Sequence, residues 1–118
     1  MTEQSTSTAT ARAFTEAWTS HDMRTAASYL AEDVVFDGPA NRSQGVAANL
    51  EGLNTFAQAV TGLRILAVHG NDDQALIMYE VTMGPRGVVR GAELLTFRDG
   101  KIAEDKLVFV PLQTPAAQ

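Results

Sequence analysis

The stretch GVVRGAELLTFRDGKIAEDKLVFVP, residues 87–111, decides the fold. Its two halves alternate in character with a period of two residues, which is typical of β-strands. The Arg-Asp-Gly segment between them favours a tight turn. The stretch therefore predicts a hairpin of two strands, 87–98 and 101–111. One face of the first strand is apolar apart from a single carboxyl group, and its residues are Val89, Gly91, Glu93, Leu95 and Phe97.

Two further strands, 63–69 and 74–83, precede this hairpin and show the same alternation. Both faces of 74–83 and of the first hairpin strand are partly apolar, whereas a sheet face washed by solvent is usually polar. We therefore expect helices to cover one face of the sheet. We expect a second copy of the chain to cover the other, giving a homodimer through the outer sheet face.

The N-terminal part of the chain has helical spacing instead. Between residues 9 and 20, Phe14 and Trp18 stand four residues apart, which predicts an amphipathic helix. Either Ser20 or Asp22 can cap a second helix. The inward positions of this second helix are Met23, Ala26, Ala27 and Leu30.

A short strand at 34–37 and a third helix opening near Ser43 complete the elements. The third helix has its apolar stripe at Val46, Leu50, Leu53, Phe56, Ala57 and Val60. Three helices and one strand followed by four strands predict an α+β domain. We expect one domain over residues 9–112, with flexible tails at 1–8 and 113–118.

Composition limits the classes of partner. The 118-residue chain has a formal net charge of −5, which argues against nucleic acid and anionic membranes, because both require a basic surface. It contains no cysteine, no transmembrane-length apolar run and only two histidines, which are far apart in sequence. These features predict a cytoplasmic protein with no metal site and no cofactor.

Two segments resemble a known family. Ala17-Trp18 with Asp22, followed by YLAEDVVFDGP at 29–39, is similar to the opening of SnoaL-like domains of the nuclear-transport-factor-2-like superfamily. GAELLTFRDGKI at 91–102 resembles their closing hairpin. The resemblance implies a cone-shaped α+β barrel in which three N-terminal helices pack on a curved, mixed, mostly antiparallel sheet around an apolar pocket. Relatives include ketosteroid isomerases, limonene epoxide hydrolases and polyketide cyclases.

The resemblance also implies which site residues this chain keeps. Phe14 stands where ketosteroid isomerases have an oxyanion-binding tyrosine, so it lacks the hydroxyl group. Asp37 matches their general base only if the strand bulges by one residue, and Glu93 matches their protonated second aspartate. Leu107 stands where limonene epoxide hydrolases have a water-activating aspartate.

The turn of the closing hairpin decides which groups face each other. A three-residue loop with Gly100 in the left-handed conformation sets Glu93 opposite Asp105. A two-residue Asp99-Gly100 turn would set Glu93 opposite Lys106 instead, making an ordinary ion pair. The first register is favoured, because it aligns the apolar residues of the two strands. It places Lys101, Ala103, Asp105, Leu107 and Phe109 on the inner face.

Two carboxyl groups that face each other in an apolar pocket cannot both ionise cheaply, so one should keep its proton near neutral pH. The alternative is that Glu93 or Asp105 lies in water at the pocket mouth, or pairs with one of the arginines Arg64, Arg86 and Arg90. Asp37 has two interpretations as well, a turn residue bonded to backbone amides or a general base. Phe14, Trp18 and Tyr79 are either core residues or pocket residues.

These patterns predict a small-molecule enzyme that uses carboxyl groups for proton transfer on a hydrophobic substrate, of the isomerase, cyclase or hydrolase type. The alternative is a non-catalytic ligand-binding or scaffold domain of the same fold. The candidate catalytic residues are Glu93, Asp105 and Asp37. The candidate substrate-binding residues are Phe14, Trp18, Tyr79, Leu95, Leu107 and Phe109.

Overall fold

A computed structural model describes residues 6–112 of the chain. The sequence predictions for residues 1–5 and 113–118 lie outside the described part. The helices are α1 (Thr6–Thr19), α2 (Met23–Ser28) and α3 (Val46–Ala57). The strands are β1 (Leu30–Asp37), β2 (Arg42–Gln44), β3 (Gly62–Gly70), β4 (Gln74–Thr82), β5 (Val88–Arg98) and β6 (Lys101–Pro111).

The six strands form one mixed sheet in the order β2-β1-β6-β5-β4-β3. β1 runs parallel to β6, and all other neighbours are antiparallel. The predicted α+β fold is therefore confirmed, with three helices on a mostly antiparallel sheet. The sheet is not closed, because β2 and β3 lie at opposite ends of the strand order.

Helix α1 packs on β3 and β4 through the apolar stripe that its sequence spacing predicts. Phe14 and Trp18 are buried almost completely. Asp22 caps α2, since its carboxylate accepts a hydrogen bond from the Thr25 backbone amide at 3.2 Å. Between the two helices, His21 adopts a positive φ of 71°, and its Nε2 lies 3.2 Å from the Val60 carbonyl. His21 thus ties the α1–α2 corner to the chain that follows α3.

Several element boundaries differ from the predicted ones. Helix α1 begins at Thr6, inside the segment expected to be a tail. Leu30 is the first residue of β1 rather than an inward residue of α2. The reason is the parallel pairing with β6, in which the Ile102 amide donates to the Tyr29 carbonyl at 2.8 Å. This pairing extends β1 well before residue 34.

The segment before α3 also differs from its prediction. Ser43 does not open the helix but pairs with Phe36 in the short strand β2. The helix begins only at Val46 and ends before Val60. Val60 is nevertheless buried, because the chain folds back toward β3 directly after the helix.

The β5–β6 hairpin follows neither predicted register. Asp99 and Gly100, with φ values of 53° and 80°, form a two-residue turn that pairs Arg98 with Lys101. The register then shifts between residues 96 and 97, so that Leu95 pairs with Asp105. A bulge of this kind adds one residue to one strand and so changes which face the later residues occupy.

The bulge explains both errors of the sequence prediction. Glu93 pairs with Leu107, rather than with Asp105 or Lys106. Lys101 is exposed, and Ile102 is buried in place of the predicted inner residues at 101 and 103. Glu93 and Asp105 still share the inner face, however, as diagonal neighbours two residue pairs apart, and both are buried.

The outer face of the sheet carries large apolar side chains that no part of residues 6–112 covers. The exposed ones on β4 and β6 are Leu76, Met78, Val108 and Val110. Arg90 and Glu80 form an ion pair of 2.6 Å on this same face. Within the described residues no helix is long and apolar enough to cross a membrane.

Candidate functional site

A cavity of about 270 Å³ lies between the inner face of the sheet and helices α1 and α3. Its mouth includes the exposed residues 39–41, which connect β1 to β2. Its walls are formed by Phe14, Trp18, Leu30, Val34, Phe36, Leu53, Phe56, Tyr79, Glu93, Asp105, Leu107 and Phe109. The surface inside is therefore mostly aromatic and aliphatic, with a small number of polar groups.

Three polar side chains meet at the buried end of this cavity. Tyr79 donates its hydroxyl hydrogen to Glu93 Oε1 at 2.9 Å. The Glu93 side chain is also within hydrogen-bonding reach of Asp105. All three residues are at most 6% exposed, so water does not screen the interactions between them. Tyr79, Glu93 and Asp105 are called the polar cluster below.

The backbone of β5 makes room for the tyrosine. Tyr79 on β4 pairs directly with Gly91 on β5. A Cβ atom at residue 91 would lie 3.1–3.2 Å from the ring carbons and hydroxyl oxygen of Tyr79. Gly91 therefore allows the ring to lie flat against the sheet and to direct its hydroxyl group toward Glu93.

The two carboxyl groups of the polar cluster have different electrostatic surroundings. Burial raises the pKa of Asp105 well above its usual range, and the negative charge of Glu93 and the hydrogen bond between the two groups raise it further. The hydrogen bond from Tyr79 stabilises the carboxylate form of Glu93. Burial and the neighbouring Glu93 charge also raise the pKa of the Tyr79 hydroxyl, so this group stays protonated and remains a donor.

No arginine or lysine within residues 6–112 forms an ion pair with either carboxyl group of the cluster. Arg90, one of the partners that the sequence allows, instead pairs with Glu80 on the outer face. Arg64 is exposed on β3, and Arg86 is exposed in the turn before β5. The alternative in which the carboxyl groups lie in water or in an arginine ion pair does not describe this arrangement.

Two polar atoms of the cavity wall have no hydrogen-bond partner. They are Nε1 of Trp18, a donor, and Oδ1 of Asp105. Trp18 packs with Tyr79 edge-on at a ring-centroid distance of 6.0 Å and with Phe56 at 5.8 Å. The indole ring is therefore held firmly beside the polar cluster while its N–H group stays unpaired.

Asp37 does not join the cluster. Phe36, and not Asp37, is in register with Asp105 and lines the cavity. Because side chains alternate along a strand, Asp37 faces the other side of the sheet, where it lies 3.7 Å from Arg42. The irregularity in β1 falls between residues 30 and 35, and from Val35 to Asp37 the pairing with β6 is regular, so no bulge turns Asp37 inward.

The predicted substrate-binding residues also differ in whether they line the cavity. Five of the six line the cavity, and these are Phe14, Trp18, Tyr79, Leu107 and Phe109. Leu95 does not line it. It is fully buried in the core beyond the polar cluster, where it pairs with Asp105 across the sheet.

The sequence interpretation missed some cavity residues. Phe36 lines the cavity, and its inward position was hidden because strand β1 gives no clear alternation to read. Asn41 and Asn49 form part of the mouth, and no pattern in the sequence distinguishes them from ordinary loop and helix residues. Leu53 and Phe56 had a signal, since both belong to the predicted apolar stripe of the third helix.

Metal binding has no support in the described part of the chain. Residues 6–112 contain no group of three or more histidine, aspartate or glutamate side chains that could hold a metal ion. The polar cluster offers two carboxyl groups, one of which is stabilised in its neutral form. Neutral carboxyl groups are poor metal ligands, because a ligand has to be deprotonated.

Comparisons with known proteins identify the family. The SnoaL-like domain family matches residues 11–105. A crystal structure from Kribbella flavida DSM 17836 is 31% identical, with a TM-score of 0.86 over 89% of this chain and 87% of the other. No curated protein matches the chain in sequence.

Two more distant structures share the fold. A candidate ketosteroid isomerase of Kribbella flavida is 22% identical, with a TM-score of 0.77 over 96% of this chain and 84% of that one. An LEH-like epoxide hydrolase of M. tuberculosis is 18% identical, with a TM-score of 0.75 over 89% of this chain and 83% of that one. At these identities the likeness concerns the fold alone. Together with the family match over most of the described residues, the comparisons show that the chain belongs to the SnoaL-like domain family.

Proposed function

We propose that this protein is a small-molecule enzyme in which Glu93 and Asp105 transfer protons to and from a hydrophobic substrate bound in the cavity. The observation that carries the proposal is the contact between two buried carboxyl groups at the end of an apolar cavity. The reaction is of the isomerase, cyclase or hydrolase type. Two relatives of the fold carry descriptions of the isomerase and epoxide hydrolase kinds.

The two carboxyl groups take different roles because their surroundings differ. Asp105 keeps its proton and acts as the acid, since burial and the Glu93 charge both oppose its ionisation. Glu93 acts as the base, since the Tyr79 hydroxyl supports its carboxylate form. In the proposed mechanism the pair thus holds one proton, on Asp105, at the start of the reaction.

The cavity suits a compact and mainly apolar substrate. A volume of about 270 Å³ lies near the lower end of the range for small-molecule sites. The aromatic and aliphatic walls exclude water from the polar cluster, which keeps the carboxyl groups poorly solvated. General acid–base groups in such surroundings typically accelerate a reaction by about 10²- to 10⁴-fold.

An NMR titration of the side-chain carboxyl carbons tests the shared proton. We expect the Asp105 resonance to titrate well above the ordinary aspartate range near about 3.9. Asp33, an exposed residue whose pKa is lowered by its hydrogen bond with Arg98, is the internal control and titrates below that value. Titration of Asp105 in the ordinary acidic range would remove the basis for the proposed mechanism.

Turnover is tested with a simple proton-transfer probe. Exchange of the α-hydrogens of cyclohexanone in D₂O, followed by proton NMR, requires only a positioned base and acid. We expect the Glu93→Gln variant to exchange the probe roughly 10²- to 10⁴-fold more slowly than the wild-type protein. Equal rates for the two proteins would contradict a catalytic role for Glu93.

A binding domain without turnover is the second candidate. Phe14 and Leu107 line the cavity with hydrocarbon at the two positions where the enzymes that this chain resembles carry a hydroxyl and a carboxyl group. A binder would hold cyclohexanone without exchanging its hydrogens faster than the buffer does. The exchange assay therefore separates the two functions.

We also propose that the protein is a cytoplasmic homodimer. The outer face of the sheet exposes Met78 and Val108, the latter at 66%, and such apolar area favours association. Arg90 and Glu80 lie on the same face, so two copies related by a twofold axis can match opposite charges. Light scattering should give about twice the chain mass of 12.6 kDa, whereas a monodisperse monomer would contradict the dimer.

A further inference from the structure

Asn49 is a polar residue on the face of helix α3 that lines the cavity. Leu53 and Phe56 follow it at helical spacing on the same face, and both also line the cavity. The Asn49 side chain is half-buried. Proton transfer by the polar cluster does not involve Asn49 and leaves its place in the cavity wall unexplained.

Two hydrogen bonds fix the orientation of the Asn49 side chain. Its Nδ2 donates to the backbone carbonyl of Gly45 at 2.7 Å and to that of Val34 at 3.3 Å. Carbonyl oxygens only accept hydrogen bonds, so the amide nitrogen, and not the amide oxygen, has to face them. The side chain thereby bridges the start of α3 and strand β1, and both of its amide hydrogens are used.

The amide oxygen of Asn49, Oδ1, is left as an open acceptor. It has no hydrogen-bond partner among residues 6–112, because both bonds of the side chain leave from Nδ2. Trp18 Nε1 and Asp105 Oδ1 are unpaired as well, but those two atoms are closed off from the surface, and Asn49 Oδ1 is not among the closed atoms. The cavity wall thus presents one oxygen that is accessible, fixed in direction and able only to accept.

The other polar side chains at the mouth have no fixed polarity. Asn41 is exposed, so its amide group can turn either its oxygen or its nitrogen toward a ligand. The hydroxyl group of Ser43 can rotate to donate or to accept. Discrimination between a donor and an acceptor on a ligand therefore rests on Asn49.

The charges around the cavity favour an uncharged ligand. The Glu93 carboxylate lies at the buried end, and no lysine, arginine or histidine is among the described residues that line the walls, so an anion would find no counterion. A cation held by Asn49 would exchange its hydration for a single neutral oxygen. The Glu93 carboxylate is no substitute, because it is already paired with Tyr79 and Asp105.

We propose that Asn49 is a specificity-determining residue, whose Oδ1 accepts a hydrogen bond from the hydroxyl group of an uncharged, mainly apolar alcohol bound in the cavity. The hydrocarbon part of the alcohol then packs on Leu53 and Phe56 and extends toward the polar cluster. The proposal deepens the proposed function and rests on it for the cavity as the substrate site. Binding tests it without turnover.

Cyclohexanol and cyclohexanone are the probes, since they share a ring and only the alcohol can donate a hydrogen bond. The measured quantity is the ratio of their dissociation constants, determined by NMR titration. We expect Asn49→Leu to change this ratio roughly 2- to 10-fold against cyclohexanol, as for the loss of one hydrogen bond. A purely structural role of Asn49 would weaken both ligands by the same factor, and an unchanged ratio would overturn the proposal.

The same substitution elsewhere on α3 is the matched control. Asn54 is exposed and is not among the residues that line the cavity, so Asn54→Leu should keep the wild-type ratio. An equal change in this control would contradict a specific role for Asn49. Asn49→Ala is the second variant, because alanine favours the helix, and it should change the ratio in the same direction as Asn49→Leu. A dispersed backbone spectrum confirms that each variant folds.

A measurement on the wild-type protein needs no variant. An amide oxygen that accepts a hydrogen bond polarises its own amide group and strengthens the bonds that its hydrogens make. In a ¹⁵N-labelled sample, cyclohexanol should therefore move the Asn49 Nδ2 proton resonances further downfield than cyclohexanone does at equal saturation. Equal shifts with the two probes would overturn the contact.

Charged probes of the same shape test the second half of the proposal. We expect cyclohexylammonium and cyclohexanecarboxylate each to bind more weakly than cyclohexanol. A charged probe that binds more tightly than the alcohol would overturn the uncharged ligand class.

Failure of this proposal is separable from failure of the proposed enzyme. If Asn49→Leu leaves the ratio unchanged while Asp105 titrates at raised pH, the recognition is wrong and proton transfer stands. If the ratio changes as expected while Asp105 titrates in the ordinary acidic range, the recognition stands and the acid–base mechanism fails.

Discussion

Replacing Asp105 by asparagine should change how the stability of the protein depends on pH. In the folded protein, burial and the Glu93 charge raise the pKa of the Asp105 carboxyl group, whereas in the unfolded chain it returns to about 3.9. Between these two values the folded state holds a proton that the unfolded state has lost. The wild-type protein therefore loses stability as the pH rises through this interval, and below about 3.9 the contribution of the group is fully present.

The size of the effect follows from the linkage between protons and folding. One proton held only by the folded state makes the free energy of unfolding fall by about 1.4 kcal/mol for each pH unit. Asparagine cannot ionise, and its amide group can replace the hydrogen bond to Glu93. The stability difference between variant and wild type should therefore grow in favour of asparagine by up to about 1.4 kcal/mol per unit as the pH increases from 4.5 toward the raised pKa.

Urea unfolding followed by circular dichroism at a series of pH values between about 4.5 and 7 measures this difference. Asp33→Asn is the matched control. The pKa of Asp33 is lowered by its hydrogen bond with exposed Arg98, so its contribution is present above about 3.9 and is lost only below it. The control difference should therefore be flat over the measured range. A flat difference for Asp105→Asn as well would refute the reasoning, because it would mean that Asp105 ionises normally in the folded protein.

Two further substitutions test how the polar cluster is held. Tyr79→Phe removes the 2.9 Å hydrogen bond to Glu93, and loss of a hydrogen bond to a charged group should cost about 1.5–3 kcal/mol in urea unfolding; an unchanged midpoint would mean that water replaces the hydroxyl group. Gly91→Ala brings a methyl group to 3.1–3.2 Å from the Tyr79 ring, and we expect a loss of about 1–3 kcal/mol, as for other overpacked interiors. Gly52→Ala is its control, because a methyl group at residue 52 meets nothing within 4 Å. The control substitution should stabilise helix α3 by about 0.5–1 kcal/mol. An equal loss of stability in both variants would contradict the packing argument.

The sequence by itself determined the elements and the faces they bury. The helical spacing of Phe14 and Trp18 and the alternation of Gly91, Glu93 and Leu95 are local properties of the chain, so they predicted which side chains point inward. The alternation also predicted that Glu93 lies on the inner face of the sheet. The family resemblance of the two quoted segments was confirmed over residues 11–105.

Only the tertiary structure decided how these faces meet. The hairpin register depends on a bulge after the Asp99-Gly100 turn, and a bulge leaves no clear mark in residue alternation. The side on which Asp37 lies depends on the parallel pairing of β1 with β6, two strands that are far apart in the chain. The contact of Glu93 with Tyr79 and Asp105 joins three different strands, so it arises from packing and could not be read from any single segment.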